Sequence, residues 1–143
     1  MKQDAKAEVI RKCFLFSGSD PQSVSRIAQA SRVIKYKSGQ MLFATGDPAD
    51  GLRIVLSGLV RVWIANEDGK ELTLSLLEPG DPFGEIALFD GLPRTANATE
   101  IEGGECLFLP KSFVDDMLEA DTAFGRHIIL LLCEILRRNT DVL

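Results

Sequence analysis

Between residues 31 and 110 the chain is cut into short β-prone runs by turn residues, and this punctuation constrains the architecture more than any other feature. Ser31 to Lys37 is β-branched and aromatic. Met41 to Ala44 lies between Ser38-Gly39 and Gly46-Asp47-Pro48, and Leu52 to Leu56 ends at Ser57-Gly58. Leu59 to Ala65 stops at the turn signal Asn66 to Gly69, after which Leu72, Leu74 and Leu76 alternate with polar or small residues. Ala96 to Ile101 and Cys106 to Leu109 follow, flanked by Gly103-Gly104 and Pro110. Such runs suit a pleated, half-buried surface, and Gly, Pro and Asp supply the turns between them. The spacing predicts an all-β sandwich or barrel, and the strand number suits a jelly-roll β-barrel.

Helical patterns flank these strands. Ala5 to Phe14 combines good helix formers with apolar Val9, Ile10 and Cys13. A second helix starts at Asp20-Pro21, where Asp accepts from free amides and Pro is tolerated in the first turn. It continues through the stripe Val24, Ile27, Ala28. After the strands, Ser112 to Leu118 forms one candidate helix and Thr122 to Val142 a longer one, with Asp121 as N-cap. The expected fold is therefore mainly β with flanking helices, in a single domain over 1–143. N-terminal helices occupy 4–30, the jelly-roll β-barrel 31–110, and C-terminal helices 111–143.

The long last helix is apolar on more than one face. Ile128, Leu132, Ile135, Asn139 and Val142 follow alternating steps of four and three, with Ile129, Leu136 and Leu143 beside them. That is the spacing of a coiled-coil seam. Either one face packs on the barrel and the other on a second subunit, or the helix is buried within its own domain.

Composition excludes several functional classes. The formal net charge of the 143 residues is -5, a poor electrostatic footprint for nucleic acid. Cys13, Cys106 and Cys133 are odd in number and far apart, which argues against a disulfide framework and for a reducing compartment. Without a CxxC pair, a metal centre is not expected. The N-terminus is too polar for a signal peptide, and the apolar run Ile128 to Cys133 is too short for a bilayer. The expected location is the cytoplasm, with no membrane partner. One histidine, His127, lies in an apolar helix, so a Ser–His–Asp hydrolase is not expected and the chain is read as no enzyme.

The stretch Phe83 to Ala98, FGEIALFDGLPRTANA, carries the chemistry. Gly84-Glu85 opens a short helical turn over Glu85 to Phe89, ended by Asp90-Gly91. A helix's first turn has amides without partners, and together with the helix dipole they favour an anion. Gly84 lets a ligand approach the backbone. Arg94 adds a permanent charge with a planar donor fork suited to phosphate. Glu85, when ionised, only accepts hydrogen bonds, so beside a phosphate it suits a hydroxyl such as a ribose 2′-OH. Donors for phosphate next to an acceptor for hydroxyl describe a sugar phosphate. The same residues could also form a surface turn with a structural Glu–Arg pair.

The order Phe83, Gly84, Glu85, Ala87, Leu88, Arg94, Thr95, Ala96 resembles the phosphate-binding cassette of the cyclic-nucleotide-binding domain family, here over 83–96. Gly39, Gly46-Asp47, Gly58 and Gly80-Asp81 agree with it, and the resemblance covers nearly the whole chain. It implies that Glu85 binds the ribose 2′-hydroxyl and Arg94 the cyclic phosphate. It implies further that Gly84, Ile86 and Ala87 amides, Thr95 and Ala96 complete the cradle, and that Ile64 and Leu74 wall the sugar and purine. No metal or separate cofactor is implied beyond the ligand, cAMP or cGMP. Thr95 does not decide between them, and cAMP is favoured.

The chain end, LLCEILRRNTDVL, resembles the dimer helix of bacterial regulators of the cyclic-AMP receptor protein (Crp/Fnr) type. By that resemblance Asn139 and Thr140 contact the purine, one from each subunit, although Asn139 could instead pair with its dimer mate. The resemblance implies a homodimer, with DNA bound through a helix-turn-helix domain absent from this chain. A stand-alone domain, a module that has lost its nucleotide, and the regulatory domain of a channel or kinase are the alternatives.

Overall fold

The structure, a computed structural model, describes residues 1–140, with side chains through Arg138. Helix α1 spans Gln3–Lys12 and runs into a 3-10 turn at Phe14–Phe16; α2 spans Pro21–Ala30. Asp20 caps α2 as its sequence position dictates, its carboxylate accepting the Ser23 amide at 2.7 Å. Eight strands follow: β1 Arg32–Tyr36, β2 Met41–Phe43, β3 Gly51–Val55, β4 Val60–Ala65, β5 Glu71–Leu77, β6 Pro82–Phe83, β7 Asn97–Glu100 and β8 Gly104–Pro110. The short helix α3, Glu85–Asp90, lies between β6 and β7, and α4 (Lys111–Ala120) and α5 (Thr122–Thr140) close the chain.

The strands form two antiparallel four-stranded sheets, ordered β1-β8-β3-β6 and β2-β7-β4-β5. This is the expected jelly roll, built as two facing sheets rather than a closed barrel. Tyr36, Val55 and Cys106 of the first sheet pack with Val60, Ala98 and Leu77 of the second. On the other side of the first sheet, Leu52, Ile54, Leu107 and Leu109 pack under the helices against Ile10, Phe16, Ile27 and Leu88. Strands β3 and β8 are thus covered on both faces, which is why both read as nearly continuous apolar runs. Strand β6, only two residues with Pro82 at its start, has no sequence signal of its own.

Helix α5 is anchored to the body through its first turns. Phe124 and Ile128 are buried in the helical core, and the Phe124 ring stacks on Phe16 at 5.8 Å. His127 Nε2 lies 2.8 Å from the Phe14 carbonyl oxygen, a bond that tethers α5 to the 3-10 turn. Beyond this point Ile129, Leu130, Leu132 and Ile135 are exposed. The heptad reading therefore needs one correction: Ile128 belongs to its own domain's core, because the helix docks there before it leaves the body. Of the remaining seam residues, the Asn139 side chain and Val142 lie outside the described residues, as does Leu143 beside the seam. Cys13 and Cys106 are buried, whereas Cys133 is exposed on α5. No helix among the described residues is long and apolar enough to cross a membrane.

Candidate functional site

A cleft of about 320 Å³ opens between α3, the β5 end of the second sheet and the segment after α3. Its wall includes Gly84, Glu85, Ile86, Ala87, Arg94, Thr95 and Ala96. Helix α3 starts from Gly84, whose φ is +86°, and no side chain caps its first turn. A Cβ at Gly84 would sit 2.8 Å from Arg94 Nη1, so glycine serves both the left-handed turn and the close approach of the guanidinium. Gly91, also left-handed, ends the helix.

Arg94 is the centre of the site and only 4% exposed. Its Nη1 donates to the Gly84 carbonyl at 2.6 Å, and Nη2 donates to Gly51 O at 3.0 Å and to Asp50 Oδ1 at 3.1 Å. Its plane lies over the Phe43 ring, 4.2 Å from the centroid. The Nε–H is buried and has no partner among the described residues. An orphaned buried donor is costly to leave unmade, so this nitrogen is suited to an acceptor supplied from the cleft. Burial lowers the pKa of Arg94, against the attraction of Asp50, yet a guanidinium stays charged at any physiological pH.

Glu85 behaves differently. Burial pushes its carboxyl up from the ordinary range, and its own backbone amide and Arg94 offset this only in part. Partial burial also pushes Asp50 up, but hydrogen bonds and charge from Arg53, with the contact from Arg94, outweigh it and hold Asp50 below the usual carboxylate range. The site therefore has one carboxylate committed to arginines and one that is desolvated and facing the cleft.

Sequence reasoning misplaced part of the wall. The register between β4 and β5 shifts at Val62/Trp63, with Val62 opposite Ser75 and Trp63 opposite Thr73. Leu74 is the extra residue of this bulge and is 53% exposed; Ile64 stands opposite Leu72. Val62, Ser75, Leu77 and Phe43 line the cleft instead. A bulge shifts which residues stand opposite each other on its two sides, and nothing in the local alternation announces one. Asp50 and Arg53 were also missed, since they reach Arg94 through folding alone. The backbone of Asn139 and Thr140 belongs to α5, but their side chains lie outside the described residues.

Residues 33–121 match the cyclic nucleotide-binding domain family. The chain belongs to that family. Within it, the chain is 27% identical over 134 residues to a CRP-like cAMP-activated global transcriptional regulator of Mycobacterium tuberculosis, covering 94% of this chain and 60% of the relative. It is 30% identical over 113 residues to the cAMP-dependent protein kinase regulatory subunit of Dictyostelium discoideum, covering 77% of this chain and 35% of that one. Among solved structures, the N-terminal domain of a transcriptional regulator from Streptomyces coelicolor A3(2) superposes with a TM-score of 0.80 at 28% identity, covering 94% of each chain. The chain thus spans less than two thirds of the length of these curated relatives. The cyclic nucleotide-binding domain is a regulatory module, and the jelly roll with its flanking helices is the architecture it shares with these neighbours.

Proposed function

We propose that this chain is a cAMP-sensing domain of a bacterial transcription regulator. Arg94 takes the cyclic phosphate, using its unpaired Nε–H together with the amides of Gly84, Ile86 and Ala87. Thr95 and Ala96 close the cradle, and Glu85 accepts the ribose 2′-hydroxyl. One observation carries this reading: a buried guanidinium with an orphaned donor stands in the same cleft as the uncapped first turn of α3 and a desolvated carboxylate. The cAMP preference rests on both relatives, a cAMP-activated regulator and a cAMP-dependent kinase subunit, and the regulator reading rests on the longer similarity to the former, over 94% of this chain against 77%. The unit 1–143 acts as one domain in the cytoplasm, without catalysis of its own.

The exposed Ile129, Leu132 and Ile135 of α5 support a homodimer through this helix. In that dimer Asn139 and Thr140 reach the purine, and the output passes to DNA through a separate helix-turn-helix domain. The net charge of -5 fits a sensory part that leaves DNA contact to another part.

Calorimetric titration with cAMP and cGMP side by side tests the ligand. Saturation with cAMP should raise thermal stability by about 2.7 kcal/mol at a hundredfold excess over Kd. Arg94→Ala should remove most of that gain and Glu85→Ala should weaken it. A purified protein that gives no heat and no shift with either nucleotide would refute the assignment.

A further inference from the structure

Arg53 is a buried charge to which the phosphate reading gives no role. It lies on β3 with 4% of its surface exposed. Its Nη1 and Nη2 donate to Oδ1 and Oδ2 of Asp50, each at 3.0 Å, and its Nε donates to the Tyr36 hydroxyl at 3.0 Å. The guanidinium lies over the Phe108 ring at 4.9 Å and over Phe43 at 5.7 Å. Arg94 uses the same Oδ1 of Asp50, at 3.1 Å, and covers the same Phe43 ring. Two guanidinium groups therefore share one carboxylate, and Arg53 has the bidentate hold on it.

This sharing has a physical consequence. A carboxylate facing a single arginine can take it in a two-bond fork, the strongest arrangement available to the pair. Arg53 already occupies that fork, which leaves Arg94 with one bond to an oxygen that accepts twice. An incoming anion then competes with a shared bond and not with a full fork. Asp50, whose side chain is 54% exposed, stays satisfied by Arg53 and by solvent when Arg94 turns to an anion. Charge balance points the same way. Arg53, Arg94, Asp50 and Glu85 sum to neutrality, whereas without Arg53 the cluster would be net negative where a phosphate must enter.

We propose that Arg53 is a positioning residue of the anion site: by gripping Asp50, it keeps Arg94 available to a nucleotide phosphate. The proposal rests on the cleft being a cyclic-nucleotide site. Its test is a titration of the full chain with cAMP for the parent, Arg53→Met, Asp50→Asn and Arg53→Met/Asp50→Asn. Arg53→Met should weaken cAMP binding about tenfold, the equivalent of about 1.4 kcal/mol. Adding Asp50→Asn should restore most of that loss, because the neutral amide no longer claims Arg94. A merely structural pair would show its loss and its rescue in unfolding stability, so denaturant unfolding of each variant is measured alongside, and a positioning role predicts affinity changes that do not track stability. Arg53→Gln, which keeps a planar amide between the Phe43 and Phe108 rings, replaces Arg53→Met if the latter does not fold. Binding within twofold of the parent in the folded single variant, or a double variant as weak as the single, overturns the proposal. Failure of the parent itself to bind cAMP would instead overturn the nucleotide reading.

Discussion

Strand β3 faces two interiors that obey different rules. Leu52 and Ile54 point to the helices, where they join Leu107, Leu109, Ile10, Ile27 and Leu88 in a core without buried charges. Arg53 and Val55 point the other way, toward the second sheet. There apolar Val60 and Ala98 share the space with Tyr36, while Arg53, Arg94 and Glu100 are each buried. One interior is closed and dominated by hydrocarbon, its buried Ser31 hydroxyl bonded to the Ala28 carbonyl at 2.8 Å. The other is opened at one end by the cleft and lined with charges whose partners are incomplete: Arg94 Nε and Glu100 Oε2 have none among the described residues. Burying polar groups without full satisfaction costs stability, and such groups are kept where a ligand or a change of state can use them. The helical interior therefore holds the fold, and the inter-sheet interior holds the chemistry.

That division can be broken most forcefully at Ile54. Ile54→Ala leaves a cavity in the apolar core and should lower unfolding stability by about 2–5 kcal/mol. The cAMP Kd of the fraction that remains folded should stay within twofold of the parent. Denaturant unfolding followed by titration below the transition checks both halves, and a large affinity change would show that the two interiors are not separable.

Gly84→Ala probes the opposite side. It forces a Cβ into a left-handed residue and against Arg94 Nη1. The strain should cost about 1–2 kcal/mol of stability, while nucleotide affinity should fall further, by more than tenfold. A variant that loses stability but binds normally would mean that the contact between Gly84 and Arg94 is not part of recognition.

The smallest expected effect is the pH dependence set by Glu85. Its folded pKa is raised by burial. This contribution to stability is therefore complete below the ordinary carboxylate pKa of about 4.3 and is lost as pH rises through the raised value. Binding runs in the opposite direction, because the charged carboxylate is the hydroxyl acceptor. Cyclic AMP affinity should thus fall as pH drops into the raised titration range, and Glu85→Gln should flatten the profile. Titrations across mildly acid pH, with the variant alongside, decide this; an unchanged slope in the variant assigns the pH effect to another group.

How much of this was legible depends on whether a feature is local. The caps Asp20 and Asp121 were readable because a short side chain and its target amide lie three residues apart; Asp121 Oδ1 accepts the Phe124 amide at 3.1 Å. Strands β1, β3, β4 and β8 were readable because their apolar runs end at Gly and Pro. The short helix α3 and the residues flanking it were readable from one contiguous stretch, Phe83 to Ala98. The Arg94–Asp50 contact was not, since it joins residues 44 apart in sequence. Nor was the bulge at Leu74, which exists only in the pairing of two strands. Arg53 misleads a sequence reader for a related reason: a charged residue in an apolar run suggests an exposed face, and only Asp50, Tyr36 and the aromatic rings make its burial possible.

The three cysteines give this chain a built-in handle. Burial pushes the Cys13 thiol up to about 11 and the Cys106 thiol up to about 12, so neither ionises readily at neutral pH. Alkylating reagents act on thiolates that they can reach. Cys133 is the accessible one, and it lies on α5 beyond the point where Ile128 anchors that helix. A maleimide dye would therefore attach to the unmutated chain at a single place, on the element expected to carry the signal. Its emission would report helix movement while the nucleotide is added.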